Sequence, residues 1–214
     1  MNKRLILASG SPRRKVLMQC MGLDFEVIPS SFEEHLDQDR SPSEVAIELG
    51  LGKALDVARQ YPDAYVIGSD LIIVHNGVQF EKPKDAEDAR RMLRLLSGSM
   101  HQAVCSLALV CIQDGVNEVL AVSCNIEMRQ LPDKLIEAYI ATGDPFDKAA
   151  GYSRQHPLLH EYVLVKGDVH LASGLPTAEL RKLLEAHGMH VPLSEDETRR
   201  RYAASDLADQ NVLV

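Results

Sequence analysis

Two dipeptides, Asn76-Gly77 and Asp114-Gly115, constrain the fold of this chain more than any other feature. Each stands between apolar runs. Asn-Gly and Asp-Gly so placed signal tight β-hairpin turns, because both residues tolerate the positive φ that such turns demand. AYVIGSDLIIV (64–74) precedes the first turn and reads as a buried strand interrupted by Gly-Ser-Asp. HQAVCSLALVCI (101–112), a long strand, precedes the second, and strand text from Val119 to Met128 follows it. Hairpins pair strands antiparallel, so a purely parallel sheet is excluded.

Elsewhere, strand and helix text alternate. LILA (5–8) and FEVIPS (25–30) read as short strands. A helix is expected to start near Ser43, with Glu44 in its first turn, and to run through VAIELGLGKALDVARQ. DAEDARRMLRLLSG (85–98) has acids at its start, apolar Met92, Leu93 and Leu96, and a stop at Gly98. LPDKLIEAYIATGDP (131–145) and LPTAELRKLLEAHG (175–188) are further helices, stopping at Gly143 and Gly188. EYVLVKGDVHLA (161–172) reads as strand, Gly-Asp turn, strand. The expected class is α/β, with a mixed sheet flanked by helices.

The 214 residues suffice for one large domain or two small lobes, here taken as one domain over 1–190. Residues 191–214 are a charged C-terminal extension, with SEDETRRRYAASDLADQ poor in large apolar side chains. It is expected to be mobile or loosely packed, the alternative being an added surface helix. A net charge of −8 argues against binding to a nucleic-acid polymer, although a cleft can carry the opposite sign to the whole. No apolar run is long enough to span a membrane, and the one in MNKRLILASGSP is too short for a signal peptide. Cys20, Cys105, Cys111 and Cys124 show no CxxC spacing and read as buried free thiols. Together these point to a cytoplasmic protein.

Chemistry-bearing residues cluster around the strand ends. In LILASGSPRRK a polar turn joins a strand to a helix, aiming backbone N–H groups and the positive helix end at one spot beside Arg13 and Arg14. That suits a phosphate-bearing ligand; the plain alternative is a strand–turn–helix with solvated arginines. Asp70 lies inside apolar text, where an unpaired carboxylate is costly. It must be paired, face a cleft at a strand end, or cap a local turn. Lys82 falls between a strand and a helix and is stiffened by Pro83, while Asp85 reads as an N-cap. Lys53 stands among small and apolar helix neighbours, where a lysine can also simply snorkel. Glu33 and Glu34 offer oxygen ligands to a divalent cation, or form a solvated loop. Gln155, in GDPFDKAAGYSRQHP with Asp147 and Lys148, could read a base edge. No Walker A loop, HExxH or GxSxG is present, and the eight histidines form no ligand pair.

In their order and spacing, LILASGSPRRKVL, FEVIPSSFEE, GKA, VIGSD, FEKPKDAEDARRML, LSG-x-x-H, GDPFDKA and SGLP resemble the Maf family of nucleoside triphosphate pyrophosphatases, over roughly residues 4–188. The resemblance implies a Maf/ITPase-like fold with two lobes around a central cleft. It implies cleavage of a nucleoside triphosphate to the monophosphate and pyrophosphate, with Mg²⁺ or Mn²⁺ as cofactor, and a homodimer by family habit. It implies that Asp70 is the catalytic acid, read as a proton acceptor. Ser9, Arg13, Arg14, Lys53 and Lys82 match the phosphate-binding set, and Glu34 with Asp70 matches the metal-holding acids. Arg13, Leu71 and Gln155 match positions tied to substrate choice.

Two departures bear on the base. Position 71 is commonly Thr in the branch acting on dTTP and UTP and Gln in the 7-methyl-GTP branch; here it is Leu71. The usual AYGIQG segment reads GYSRQHP. Gly-Ser-Asp resembles the second branch, whereas SPRR, DKA and Gln155 resemble the first, and dTTP/UTP or a modified nucleotide is the expected substrate. The alternative is a catalytically weak nucleotide-binding regulator linked to cell division.

Overall fold

A computed structural model describes residues 3–205. Among them, eight strands form one mixed sheet flanked by helices. The chain begins with β1 (Leu5–Leu7), fully buried, followed by α1 (Pro12–Cys20) and the short β2 (Glu26–Val27). Next comes α2 (Pro42–Ala58), which starts earlier than the sequence predicts. Ser41 is its N-cap, accepting from the Glu44 N–H, while the Glu44 carboxylate reaches back to the Ser41 N–H. This capping box and Pro42 in the first turn set the boundary.

β3 (Tyr65–Gly68), β4 (Leu71–His75) and β5 (Val78–Phe80) follow, with Asn76 and Gly77 at φ 50° and 80° in the β4–β5 hairpin. α3 (Ala86–Leu96) is N-capped by Asp85, as expected. β6 (Met100–Cys111) and β7 (Val116–Met128) pair along their full length around the second hairpin. α4 (Asp133–Ala141) leads to two short 3-10 turns, 144–147 and 149–151, and then to β8 (Val163–Lys166).

The sheet runs β2-β1-β3-β6-β4-β5, and β7 pairs with both β6 and β8. Only β1–β2 and β1–β3 are parallel. One edge of β6 serves two strands in succession. Gly68 of β3 stands opposite Ala108, and Leu71 of β4 stands opposite Cys105. Ser69 and Asp70 fall in the gap between them, so the interruption in VIGSDLIIV is a break between two strands.

Two sequence expectations need correction. The second half of EYVLVKGDVHLA is not a strand but α5 (Val169–Ala172), because the Asp168 carboxylate accepts from the His170 N–H and caps a helical turn. The extension is not loosely packed over its first part. After α6 (Thr177–Ala186), residues Glu195–Ala203 form α7, capped by Ser194, with Thr198 buried and Tyr202 in the core that also holds Leu17 and Met18 of α1. The remainder of the extension lies outside the described residues. The four cysteines are free and buried. Among the described residues no helix is long and apolar enough to cross a membrane.

Candidate active site

Asp70 owes its place to close packing of α2 on the sheet. Gly68 lies so near α2 that a Cβ there would stand 2.2 Å from the Gly50 carbonyl oxygen. A Cβ on Gly50 would stand 2.3 Å from Ser106 Oγ. A Cβ on Gly52 would strike the Phe32 ring, 2.4 Å away. The glycines of GLGKA therefore let a helix lie flush on β3 and β6 and seat Phe32. One turn on, Lys53 reaches the strand break.

There the Asp70 backbone is held by Ser106 of β6. Asp70 N–H donates to Ser106 Oγ at 3.0 Å, and the Asp70 carbonyl accepts from Ser106 N–H at 2.9 Å. Its carboxylate is buried and paired: Lys53 Nζ donates to Oδ1 at 2.5 Å. The same ammonium lies 2.8 Å from Oε1 of Glu34, whose side chain is 47% exposed. Burial pushes the Glu34 carboxyl up, but the bond to Lys53 and the charges of Lys53, Lys82 and Arg14 leave it below its ordinary value.

The turn after β1 faces the same space. Ser9 Oγ accepts from the Ser11 N–H at 3.2 Å and from Arg14 at 3.0 Å. Arg14 also donates to the Gly174 carbonyl at 2.8 Å, which accepts from Ser69 Oγ at 2.9 Å. So SGLP, a motif without an evident role in the sequence, braces a guanidinium. Ser11 caps α1 by position but makes no side-chain cap bond, leaving the first turn open to an anion. Burial, then the neighbouring Arg14 charge, depress the Arg13 pKa. A bound anion would relieve both.

These groups line one cavity of about 840 Å³, within the range of small-molecule sites. The nine residues matched through the family resemblance border it: Ser9, Arg13, Arg14, Glu34, Lys53, Asp70, Leu71, Lys82 and Gln155. Asp147 and Lys148 border it as well, whereas Glu33 does not. Arg154 also lines it and went unnoticed in the sequence. Its Nε is buried without a hydrogen-bond partner. The segment that carries it is clipped to the β5–α3 connection by Ala150 N–H donating to the Glu81 carbonyl at 3.0 Å.

The cavity is cationic on balance, with Arg13, Arg14, Lys53, Lys82, Lys148 and Arg154 against Glu34, Asp70, Glu81 and Asp147. It suits a polyanion. Asp70 and Glu34 converge on one cation position, now filled by Lys53 Nζ. Two hard carboxylates would suit a divalent cation such as Mg²⁺ or Mn²⁺. Among the described residues there is no cluster of three His, Cys, Asp or Glu that could cage a metal alone.

The family described as Maf-like protein matches residues 4–187. The dTTP/UTP pyrophosphatase of Alkaliphilus metalliredigens is 37% identical over 192 residues, covering 89% of this chain and 99% of that protein. The protein of the same name from Vibrio cholerae is 38% identical, covering 85% of this chain and 96% of its own length. That from Geotalea uraniireducens is 39% identical, covering 86% and 95%.

Proposed function

The chain belongs to the Maf family, and on that premise we propose that it is a nucleoside triphosphate pyrophosphatase, cleaving dTTP or UTP to the monophosphate and pyrophosphate. One observation carries the reading. A buried carboxylate at a strand break, Asp70, faces a cavity otherwise dominated by arginine and lysine. The relatives named dTTP/UTP pyrophosphatase support the choice of base.

Each residue then has a task. Arg13, Arg14, Lys82 and the open first turn of α1 bind the triphosphate and offset its charge. Ser9 and Gly174 hold Arg14 in register for that contact. Oδ1 of Asp70 is tied to Lys53, leaving Oδ2 to orient the attacking water and take its proton. Lys53 holds that carboxylate in place through a charged hydrogen bond and neutralises charge gathering at phosphorus. Gln155 reads the base, and Leu71 offers it only an apolar surface. Glu34 and Asp70 are the residues to hold Mg²⁺ or Mn²⁺, which when bound supplies Lewis-acid neutralisation of the phosphate oxygens. Four free buried thiols support a reducing compartment, the cytoplasm.

The test is pyrophosphate release from a panel of canonical and modified nucleotides with Mg²⁺ or Mn²⁺, wild type beside Asp70→Asn. Expected is turnover of dTTP and UTP that falls at least about 100-fold in the variant while nucleotide binding persists. No release from any nucleotide overturns the reading.

A further inference from the structure

We propose that Tyr202, on the C-terminal helix α7, is a positioning residue for base recognition: it holds the Gln155 amide so that a nucleobase meets the carbonyl oxygen and not the NH₂ group. The proposal rests on Gln155 facing the base. Tyr202 stands beyond residue 187, where the match to the family ends. It belongs to a part of this chain that the family pattern does not describe.

The geometry fixes both ends of the amide. Ser173 Oγ donates its only hydrogen to the Val169 carbonyl at 2.8 Å. Toward Gln155, 3.2 Å away, it can therefore only accept, so the atom facing it is Nε2. The second Nε2 hydrogen goes to the Tyr202 hydroxyl oxygen at 3.2 Å. On the other side, Ser153 Oγ donates to Oε1 at 3.1 Å. Both amide hydrogens are thus engaged, and the capacity left is one lone pair on Oε1. A side chain with only an acceptor to spare recognises a base through a ring N–H. Uracil, thymine and guanine present one on the pairing edge. Cytosine and adenine present a bare ring nitrogen there, and a carbonyl oxygen facing it is repelled.

Tyr202 is built to hold this position. It is 3% exposed and its ring meets His170 edge-on, with centroids 5.1 Å apart at 83°. His170 is anchored in turn by Thr177 Oγ1, 2.6 Å from Nδ1. α7 packs on α1, the helix that carries Arg13 and Arg14. The extension therefore braces the base end and the phosphate end of one cavity.

The experiment compares UTP and CTP as substrates for the full chain carrying Tyr202→Phe, Gln155→Ala, or both. Phe keeps the ring contact with His170 and removes only the hydroxyl, freeing one Nε2 hydrogen. In Tyr202→Phe the UTP-over-CTP ratio of kcat/KM should fall about 3–10-fold, mostly through a higher KM for UTP. Gln155→Ala should abolish the preference, and adding Tyr202→Phe to it should change nothing further. An unchanged ratio in Tyr202→Phe overturns the proposal and leaves the role of Gln155 standing. So does an equal loss from Tyr202→Phe when Gln155 is already absent, since the hydroxyl then acts on packing alone. If Gln155→Ala leaves the preference intact, Gln155 does not face the base, and the proposal falls with that reading.

Discussion

Lys53 Nζ lies 2.5 Å from Oδ1 of Asp70, and the two side chains are only 9% and 10% exposed. A pair so sealed is asymmetric in its energetics. Removing Lys53 leaves the Asp70 charge buried and uncompensated, whereas removing both leaves only the Glu34 carboxylate, which is 47% exposed and open to water. Lys53→Met is therefore expected to cost about 3–5 kcal/mol of stability. Adding Asp70→Asn should return most of it, although the double variant is expected to be inactive. Urea denaturation of the single and double variants measures this. Additive losses would mean that the pair is not coupled as the geometry requires.

The contact between α2 and the sheet yields a second expectation. A methyl on Gly50 meets a side-chain hydroxyl, Ser106 Oγ, but one on Gly68 meets the Gly50 backbone carbonyl. A hydroxyl can rotate, and a backbone carbonyl moves only with its helix. Gly50→Ala should cost about 1–3 kcal/mol, and Gly68→Ala more. Either change shifts Lys53 relative to Asp70, so turnover should fall more steeply than stability alone explains. Circular dichroism melts beside steady-state rates test the order; equal effects from the two variants would contradict it.

The break at Asp70 is legible in the sequence because a polar Gly-Ser-Asp inside an apolar run has few structural explanations. Asn76-Gly77, Asp85 and Gly98 are legible for a similar reason, since each acts through its own backbone or the next turn. α5 is not, because its four residues have strand-like composition and a single cap from Asp168 decides against extension. α7 is legible only as the alternative reading of the extension, because only Thr198 and Tyr202 are buried along a charged helix, too few to mark a face. What covers them is α1, nearly the whole chain away. At the site, the residue types announce themselves singly, but their convergence depends on a break in pairing along β6. Arg154 escapes notice because nothing local distinguishes it from a surface arginine.

His101 sets a pH dependence. Burial, with a smaller push from the His75 charge, lowers its pKa from 6.5 to about 4. The folded protein thus keeps this ring neutral where the unfolded chain already takes up a proton. Stability is fully present above pH 6.5, falls as pH drops toward about 4, and loses nothing more from this residue below that. The loss amounts to roughly 3 kcal/mol. Burial depresses His156 and His170 in the same direction and steepens the slope. His101→Gln keeps a polar group near the Tyr152 hydroxyl, which lies 2.6 Å from the ring, and removes the titration. Chemical denaturation across this range should give a shallower slope for the variant; an unchanged slope would assign the effect elsewhere.

Arg154 separates stability from function. Its Nε is buried with no partner, and a buried donor left unbonded costs about 1–3 kcal/mol. The folded protein carries that cost without a ligand, so replacing Arg154 by Met should leave the melting temperature unchanged or raise it. A residue kept only for packing would behave in the opposite way. On the proposed function, the guanidinium would meet an anionic nucleotide in the cavity it lines and recover that cost as binding. Arg154→Met should therefore raise KM for the nucleotide about 10-fold or more, with a smaller change in kcat. Paired melting curves and kinetics decide the matter. A lower melting temperature with KM unchanged would make Arg154 a structural residue with no part in holding the nucleotide.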